Sequence, residues 1–218
     1  MKLLLTSAGL MNESIVGALR ELTVRPFEEL NLAFIPTAAN LEEGDKGWLI
    51  DDLEACQKLG LKELDIVDIS ALPKSVWQKR LEAADIIFVS GGNTFHLMHW
   101  VRASGLEEVL PELLKTRVYV GVSAGSMITN PNIRCSLSEK GVAEEIHGAI
   151  EDGGLSLVDF LIEPHINNAY FPELTFEYVQ NESTETTLPI YALDDQSAIQ
   201  VVDGEVTVVS EGEWKRFN

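Results

Sequence analysis

Cysteine is scarce in this chain of 218 residues: Cys56 and Cys135 are the only two, far apart and without a ligand-spaced partner. That argues against a disulfide framework and a cysteine-based zinc site, and it fits a reducing compartment. Basic side chains are also few, since 16 Lys and Arg stand against 35 Asp and Glu, a formal net charge of −19. Nucleic acid or an anionic membrane surface would be repelled over most of such a protein, so neither is an expected partner. No apolar run approaches the roughly 20 residues that span a bilayer. The run in Met1 to Ser7 is too short for a signal peptide and is soon followed by Asn12 and Glu13, so it reads as a first buried strand. A cytoplasmic location is expected. Repeats, low-complexity tracts and Pro/Gly/Ser linkers are absent too, so residues 1–218 are expected to form one domain.

What is present is apolar sequence in short, regularly spaced blocks. Nearly half the residues, 45%, are hydrophobic, enough for a sizeable core. Leu3 to Thr6, Leu32 to Ile35, Leu64 to Val67, Ile86 to Val89 and Val118 to Val122 read as buried strands. Between them Asn12 to Leu22, Gly47 to Leu59 and Lys74 to Ala84 carry apolar residues at helical spacing. Strand and helix in alternation predict an α/β fold, a three-layer, doubly wound and mostly parallel sheet. Near the end Ile190 to Leu193, Ala198 to Val202 and Val206 to Ser210 are strand-like, and Asp203-Gly204 between the last two predicts a C-terminal β-hairpin.

The most informative segment is Val118-Tyr119-Val120-Gly121-Val122-Ser123-Ala124-Gly125-Ser126-Met127, a β-branched strand that runs into Gly-x-Ser-x-Gly. In a strand-to-helix turn this sharp, small flanking residues avoid clashes while the serine hydroxyl stands above the sheet. The five-residue pattern alone also occurs in plain turns, but the carboxyl end of a buried strand is where open α/β sheets carry their sites. Ser123 is the candidate nucleophile, and the Ala124 N–H, at a helix N-terminus, is a candidate oxyanion donor. A second glycine turn, Ser90-Gly91-Gly92-Asn93-Thr94, follows the fourth strand, and Gly92 is the candidate second donor. Read as a phosphate loop it lacks both the dinucleotide spacing and a Walker lysine.

A serine nucleophile needs a base, and the chain offers four histidines: His96, His99, His147 and His165. His96 and His99 share a helical face suited to a surface or a weak metal pair, with no third ligand at matching spacing. His147, among Glu144, Glu145 and Gly148, reads as a solvated loop or helix end. His165 follows the strand-like run Leu157 to Ile162, just past a strand end, and is the preferred base. A carboxylate to orient it is expected where Ile190 to Leu193 leads into Asp194-Asp195, with the choice between the two left open.

Taken in order, Ile35-Pro36-Thr37-Ala38, Gly91-Gly92-Asn93-Thr94-Phe95, Tyr119 to Gly125, Ile133-Arg134, Glu163-Pro164-His165 and Ala192 to Asp195 resemble the dipeptidase E, or aspartyl dipeptidase, family and its cyanophycinase relatives. The resemblance implies a fold similar to class I glutamine amidotransferases, with serine in place of their cysteine nucleophile. It implies the triad order Ser123, His165, Asp195, oxyanion donors at Gly92 and Ala124, and substrate binding by Asn93 and Arg134. It further implies a serine peptidase that hydrolyses short peptides through an acyl-enzyme, with no metal or organic cofactor, in a chain for which a homodimer is one open assembly. An isopeptidase or amidase similar to cyanophycinase and a non-catalytic binding module on the same fold are the alternatives. Family members specific for N-terminal aspartate carry an arginine after the histidine, whereas no Lys or Arg occurs here from Gly141 to Trp214. Arg134 or another cation would have to replace that arginine for aspartyl specificity.

Overall fold

The computed structural model describes residues 1–133 and 137–218. Among these residues the strands are β1 (Lys2–Thr6), β2 (Asn31–Ile35), β3 (Glu63–Ile66), β4 (Ile86–Val89), β5 (Val118–Val122), β6 (Leu161–Glu163), β7 (Ile190–Leu193), β8 (Ser197–Val202), β9 (Glu205–Ser210) and β10 (Trp214–Phe217). The helices are α1 (Glu13–Thr23), α2 (Gly47–Lys58), α3 (Lys74–Ala83), α4 (Thr94–Ala103), α5 (Leu106–Leu113), α6 (Ala124–Met127), α7 (Leu137–His147) and α8 (Phe176–Glu182).

The main sheet has seven strands in the order β3-β2-β4-β5-β1-β8-β9. The first five are parallel, and β8 and β9 add an antiparallel edge. The β8–β9 ribbon is the hairpin expected at Asp203-Gly204, with Val202 paired to Glu205. Strand alternation sorts the core into two faces. Leu4, Leu32, Phe34, Phe88, Val118, Val120 and Val122 pack with Ile15, Leu19 and Leu22 of α1 and Cys56 of α2. Leu3, Leu5, Ile35, Ile87, Val89 and Tyr119 point the other way, against Trp77 and Leu81 of α3, Leu97 and Val101 of α4, and Leu110 of α5. These helices cover both faces and make the three layers. Each fully buried Leu or Phe contributes about 1.5–3 kcal/mol relative to leaving it exposed.

A smaller sheet, β10-β7-β6, stands apart from the first and carries its own apolar cluster of Leu161, Ile166, Val179, Ile190 and Ala192. Here the structure corrects one expectation. Leu157 to Ile162 is not one strand, because only Leu161–Glu163 is extended and paired, and it pairs with β7 rather than with the main sheet. The backbone N–H groups before it are used elsewhere: Leu155 donates to Ile128, Ser156 to Asn130, and Leu157 to Thr129. With those donors committed to the segment after α6, no ladder can form there. The turn Asp194-Asp195-Gln196 joins β7 of the small sheet to β8 of the main one, and so brings the two sheets together. Cys56 is a buried free thiol whose pKa is pushed up by burial and by the nearby Asp52.

Candidate active site

Strand β5 ends at Val122, and the next residue, Ser123, turns the chain into α6 with φ 47° and ψ −109°. A non-glycine residue in that region costs about 1–3 kcal/mol and persists only when its surroundings hold it. They do so through several bonds. The Ser123 N–H donates to the Thr6 carbonyl of β1 at 3.1 Å, and its own carbonyl accepts from Ser126 and Met127 at 2.8 and 2.9 Å. The Ser126 hydroxyl donates to the same Thr6 carbonyl at 2.8 Å, and the buried Tyr119 hydroxyl to the Gly125 carbonyl at 2.6 Å. Both glycines of the motif are required by close approach. A Cβ on Gly121 would lie 2.6 Å from the Gly125 carbonyl, and one on Gly125 would collide with the Val89 carbonyl of β4.

Ser123 Oγ lies 2.9 Å from His165 Nε2, and His165 Nδ1 lies 2.7 Å from Asp195 Oδ1. With Nδ1–H donating to the carboxylate, Nε2 is left as the acceptor facing the serine hydroxyl. His165 sits just past β6 with φ 62°, and its N–H donates to Ser7 Oγ at 2.8 Å, which fixes the ring's origin against the end of β1. The ring stacks on Phe171, centroids 4.9 Å apart and planes 21° from parallel. Asp195 Oδ1 also accepts from Ser7 Oγ at 3.1 Å, and Oδ2 accepts from the Asn168 amide. Burial works to raise the Asp195 carboxyl, but the hydrogen bond and charge of His165, with Asn168 and Ser7, outweigh it and hold the carboxyl below its usual range. The Asp194 carboxylate turns away and builds the turn, accepting from the Gln196 N–H at 3.0 Å, the Ser197 hydroxyl at 2.6 Å and the Glu213 N–H at 2.6 Å. The choice that the sequence leaves open thus falls on Asp195 as the partner of His165.

The Ser90-Gly91-Gly92 turn flanks the serine: a Cβ on Gly91 would lie 3.4 Å from Ser123 Cβ. Gly92 has φ 127°, and a Cβ there would collide with the Ala38 carbonyl, so only glycine fits. Ala124 is fully buried as the first residue of α6, where N–H groups have no carbonyl one turn back. Asn93 is 3% exposed and caps α4, its side-chain oxygen accepting from the His96 N–H at 2.8 Å. Arg134 lies outside the described residues.

The other three histidines come together away from Ser123. His96 Nδ1 lies 2.8 Å from His147 Nε2, and His147 stacks on His99 with centroids 3.8 Å apart. His147 ends α7, as one reading of the sequence had it, and its half-buried ring also packs against His96, His99 and Trp100. Stacked rings do not converge their nitrogens on one point, and among the described residues no group of three or more His, Cys, Asp or Glu is arranged to hold a metal ion. Sequence reasoning missed Ser7, Asn168 and Phe171. Ser7 had a usable signal, a hydroxyl one residue past the first strand. Asn168 and Phe171 sit in a loop without any periodic pattern, and only the fold brings them to His165.

Comparison with known proteins finds similar chains among peptidases. An uncharacterized peptidase of Listeria innocua is 33% identical over 178 residues, covering 80% of this chain and 82% of the relative. One from Pasteurella multocida is 31% identical and covers 82% and 84% respectively. A crystal structure of a provisionally assigned peptidase E protein from Listeria monocytogenes EGD-e superposes with a TM-score of 0.80 at 29% identity, over 97% of this chain and 98% of that one. A peptidase from an acI-B1 Actinobacterium, at 16% identity and a TM-score of 0.66, shares the fold. Among the described residues no helix is long and apolar enough to cross a membrane. The model of peptidase family S51 matches residues 3–209, nearly the whole chain and every element of the main sheet, so the chain belongs to that family and is a serine-type peptidase.

Proposed function

We propose that Ser123, His165 and Asp195 form the catalytic triad and that the enzyme hydrolyses short peptides through an acyl-enzyme. The observation that carries this reading is the unbroken hydrogen-bond chain from Ser123 Oγ through the imidazole to Asp195, at 2.9 and 2.7 Å. In the forward step Ser123 Oγ attacks the peptide carbonyl carbon while its proton passes to His165 Nε2. The carbonyl electrons move onto oxygen, where the Gly92 and Ala124 amides stabilise the oxyanion. The tetrahedral intermediate collapses, the C–N bond breaks, and His165 gives its proton to the leaving amine. Water then attacks the ester by the same route and releases Ser123. Asp195, kept ionised below its usual range, holds the imidazole tautomer and stabilises the imidazolium of each half-reaction.

Substrate identity is tested with a panel of dipeptides, Asp-X, Glu-X, Gly-X and others with neutral N-terminal residues, given to wild type and Ser123→Ala while free amino acids are followed. Hydrolysis by wild type alone supports the reading. Retained hydrolysis in Ser123→Ala would overturn the serine assignment. Silence of the folded wild type toward every member would direct attention to a branched-polymer isopeptide substrate or to a binding module.

A further inference from the structure

Both nitrogens of the His165 ring are engaged by Ser123 and Asp195, and one face of the ring is engaged by Phe171. The two rings lie 4.9 Å apart between centroids with planes 21° from parallel, so the phenyl π-face covers the imidazole instead of meeting it edge-on. The chain between them is folded to put it there. The Asn168 N–H donates to the His165 carbonyl at 3.1 Å, and the Phe171 N–H to the Asn168 carbonyl at 3.1 Å, two tight turns in succession. Leu174 closes the loop, its N–H donating to the Phe171 carbonyl at 3.0 Å and its carbonyl accepting from the Asn167 N–H at 2.8 Å. The Asn168 amide also reaches Asp195, and the Ile166 N–H donates to the Leu193 carbonyl at 3.0 Å. Loop, base and carboxylate are therefore one connected piece.

Burial gives little reason for an aromatic ring at this place. Phe171 is 39% exposed, and among the described residues it belongs to none of the apolar core clusters. What it does touch is the base. In acyl transfer the imidazole gains a proton as each transition state is reached and gives it up again. The face of a benzene ring is the negative side of its quadrupole, so it attracts a cation lying over it far more than it attracts a neutral ring. A separation of 4.9 Å falls inside the roughly 6 Å over which that attraction acts. An interaction that strengthens only when the imidazole is charged is stronger in the transition state than in the ground state, which is the condition for raising kcat. Asp195 meets the new charge at the ring's edge, and Phe171 meets it over the face.

We propose that Phe171 is a positioning residue that acts through His165, its π-face stabilising the imidazolium formed in each half-reaction. The inference rests on the triad reading above and adds to it a neighbour that works on the charged ring.

The test varies the quadrupole and keeps the shape. Phe171 is replaced by mono-, tri- and pentafluorophenylalanine, each fluorine drawing electron density from the ring face, and by Leu and Trp. Two rates are followed: kcat on a dipeptide that wild type cleaves, and the modification of Ser123 by a fluorophosphonate, read by mass spectrometry. In the second, the Ser123 Oγ–P bond forms, the P–F bond breaks and fluoride leaves, while the serine proton passes to His165 Nε2. The imidazole is thus charged without need of a matched peptide. Both rates should fall stepwise with fluorine number, to at least about threefold below wild type at pentafluorophenylalanine, with Phe171→Leu down about threefold and Phe171→Trp at or above wild type. KM should stay within about twofold, because substrate binds before the ring is charged. A series that stays flat while Phe171→Leu loses activity overturns the proposal, since a ring that only fills space is indifferent to its quadrupole. A loss confined to KM overturns it as well. The two readings fail separately: a flat series beside an inactive His165→Gln removes the role of Phe171 alone, whereas wild-type rates in His165→Gln remove the triad and this inference with it.

Discussion

At the crest of the main sheet His165 stands between a hydroxyl and a carboxylate, whereas where α4 meets α7 His96, His99 and His147 stand against one another. The imidazoles are chemically the same. At the first position the ring is held between Asp195 and Ser123 by hydrogen bonds of 2.7 and 2.9 Å. At the second, burial and the two neighbouring rings push His96 down to about 4, although Asp68 acts in the opposite sense, and among the described residues its buried Nε2 has no hydrogen-bond partner. Burial and His147 lower His99 in the same direction. A ring kept neutral by its neighbours, with Trp100 packed edge-on against it, serves as packing material. Partners, then, set the two sites apart: a hydroxyl and a carboxylate face one imidazole, and only other rings face the three in the cluster.

The largest effect that would sharpen this contrast is at the crest. Ser123→Ala and His165→Gln should each lower kcat by at least about 10⁴-fold, and the double variant should fall little further, because the pair acts as one unit. Steady-state kinetics on the three proteins checks it, and additive losses would break the comparison by showing that the two side chains act apart. Next, Asp195→Asn should cost about 10³–10⁴ in kcat with the fold intact, since an amide in that place favours the wrong tautomer. Its neighbour gives the matched control. Asp194→Asn should leave kcat within a few-fold and lower stability by about 1–2 kcal/mol in urea denaturation, because it removes charge-assisted acceptors from the β7–β8 turn.

On the histidine cluster the expected effect is on acid stability. The pKa of His96 is lowered on folding, from an ordinary 6.5 to about 4, so the unfolded chain binds its proton first. Its contribution to stability is complete above about pH 6.5 and is lost as pH falls through about 4. His96→Leu should therefore flatten the fall in Tm between those limits by roughly 4 °C relative to wild type, with kcat at neutral pH little changed. The smallest expected effect is at Phe171. Phe171→Leu removes the ring stacked on His165 and should lower kcat about threefold while hydrogen bonds to Asp195 hold the imidazole in place.

Much of this was legible in one dimension. Four of the five parallel strands announce themselves because a strand buried on both faces must be apolar throughout, and Ile86–Val89 and Val118–Val122 lie where the apolar blocks placed them, whereas β3, expected to be buried, is the sheet edge and leaves Ile66 51% exposed. Ser123 is legible for a related reason: only glycine allows the backbone approaches at positions 121 and 125, so the turn writes its constraint into its own neighbours. By contrast, Leu157 to Ile162 looked like a strand and is largely not one, because Leu157 and Val158 give their N–H groups to the Thr129 carbonyl, and that pairing overrides the local preference. Asp194 and Asp195 are the same residue type in adjacent positions, and no local rule separates them. The direction of each side chain is decided by where β7 leaves the small sheet and β8 enters the large one, a crossing set by packing more than 150 residues after Ser7. The sequence determined the α/β class, the nucleophile turn and the negative charge, all of which depend on residues near one another in the chain. The tertiary structure decided which histidine faces Ser123, which aspartate bonds to it, and that Ser7 and Asn168 stand around that aspartate, because each of these contacts depends on a partner that only the fold brings within a few ångströms.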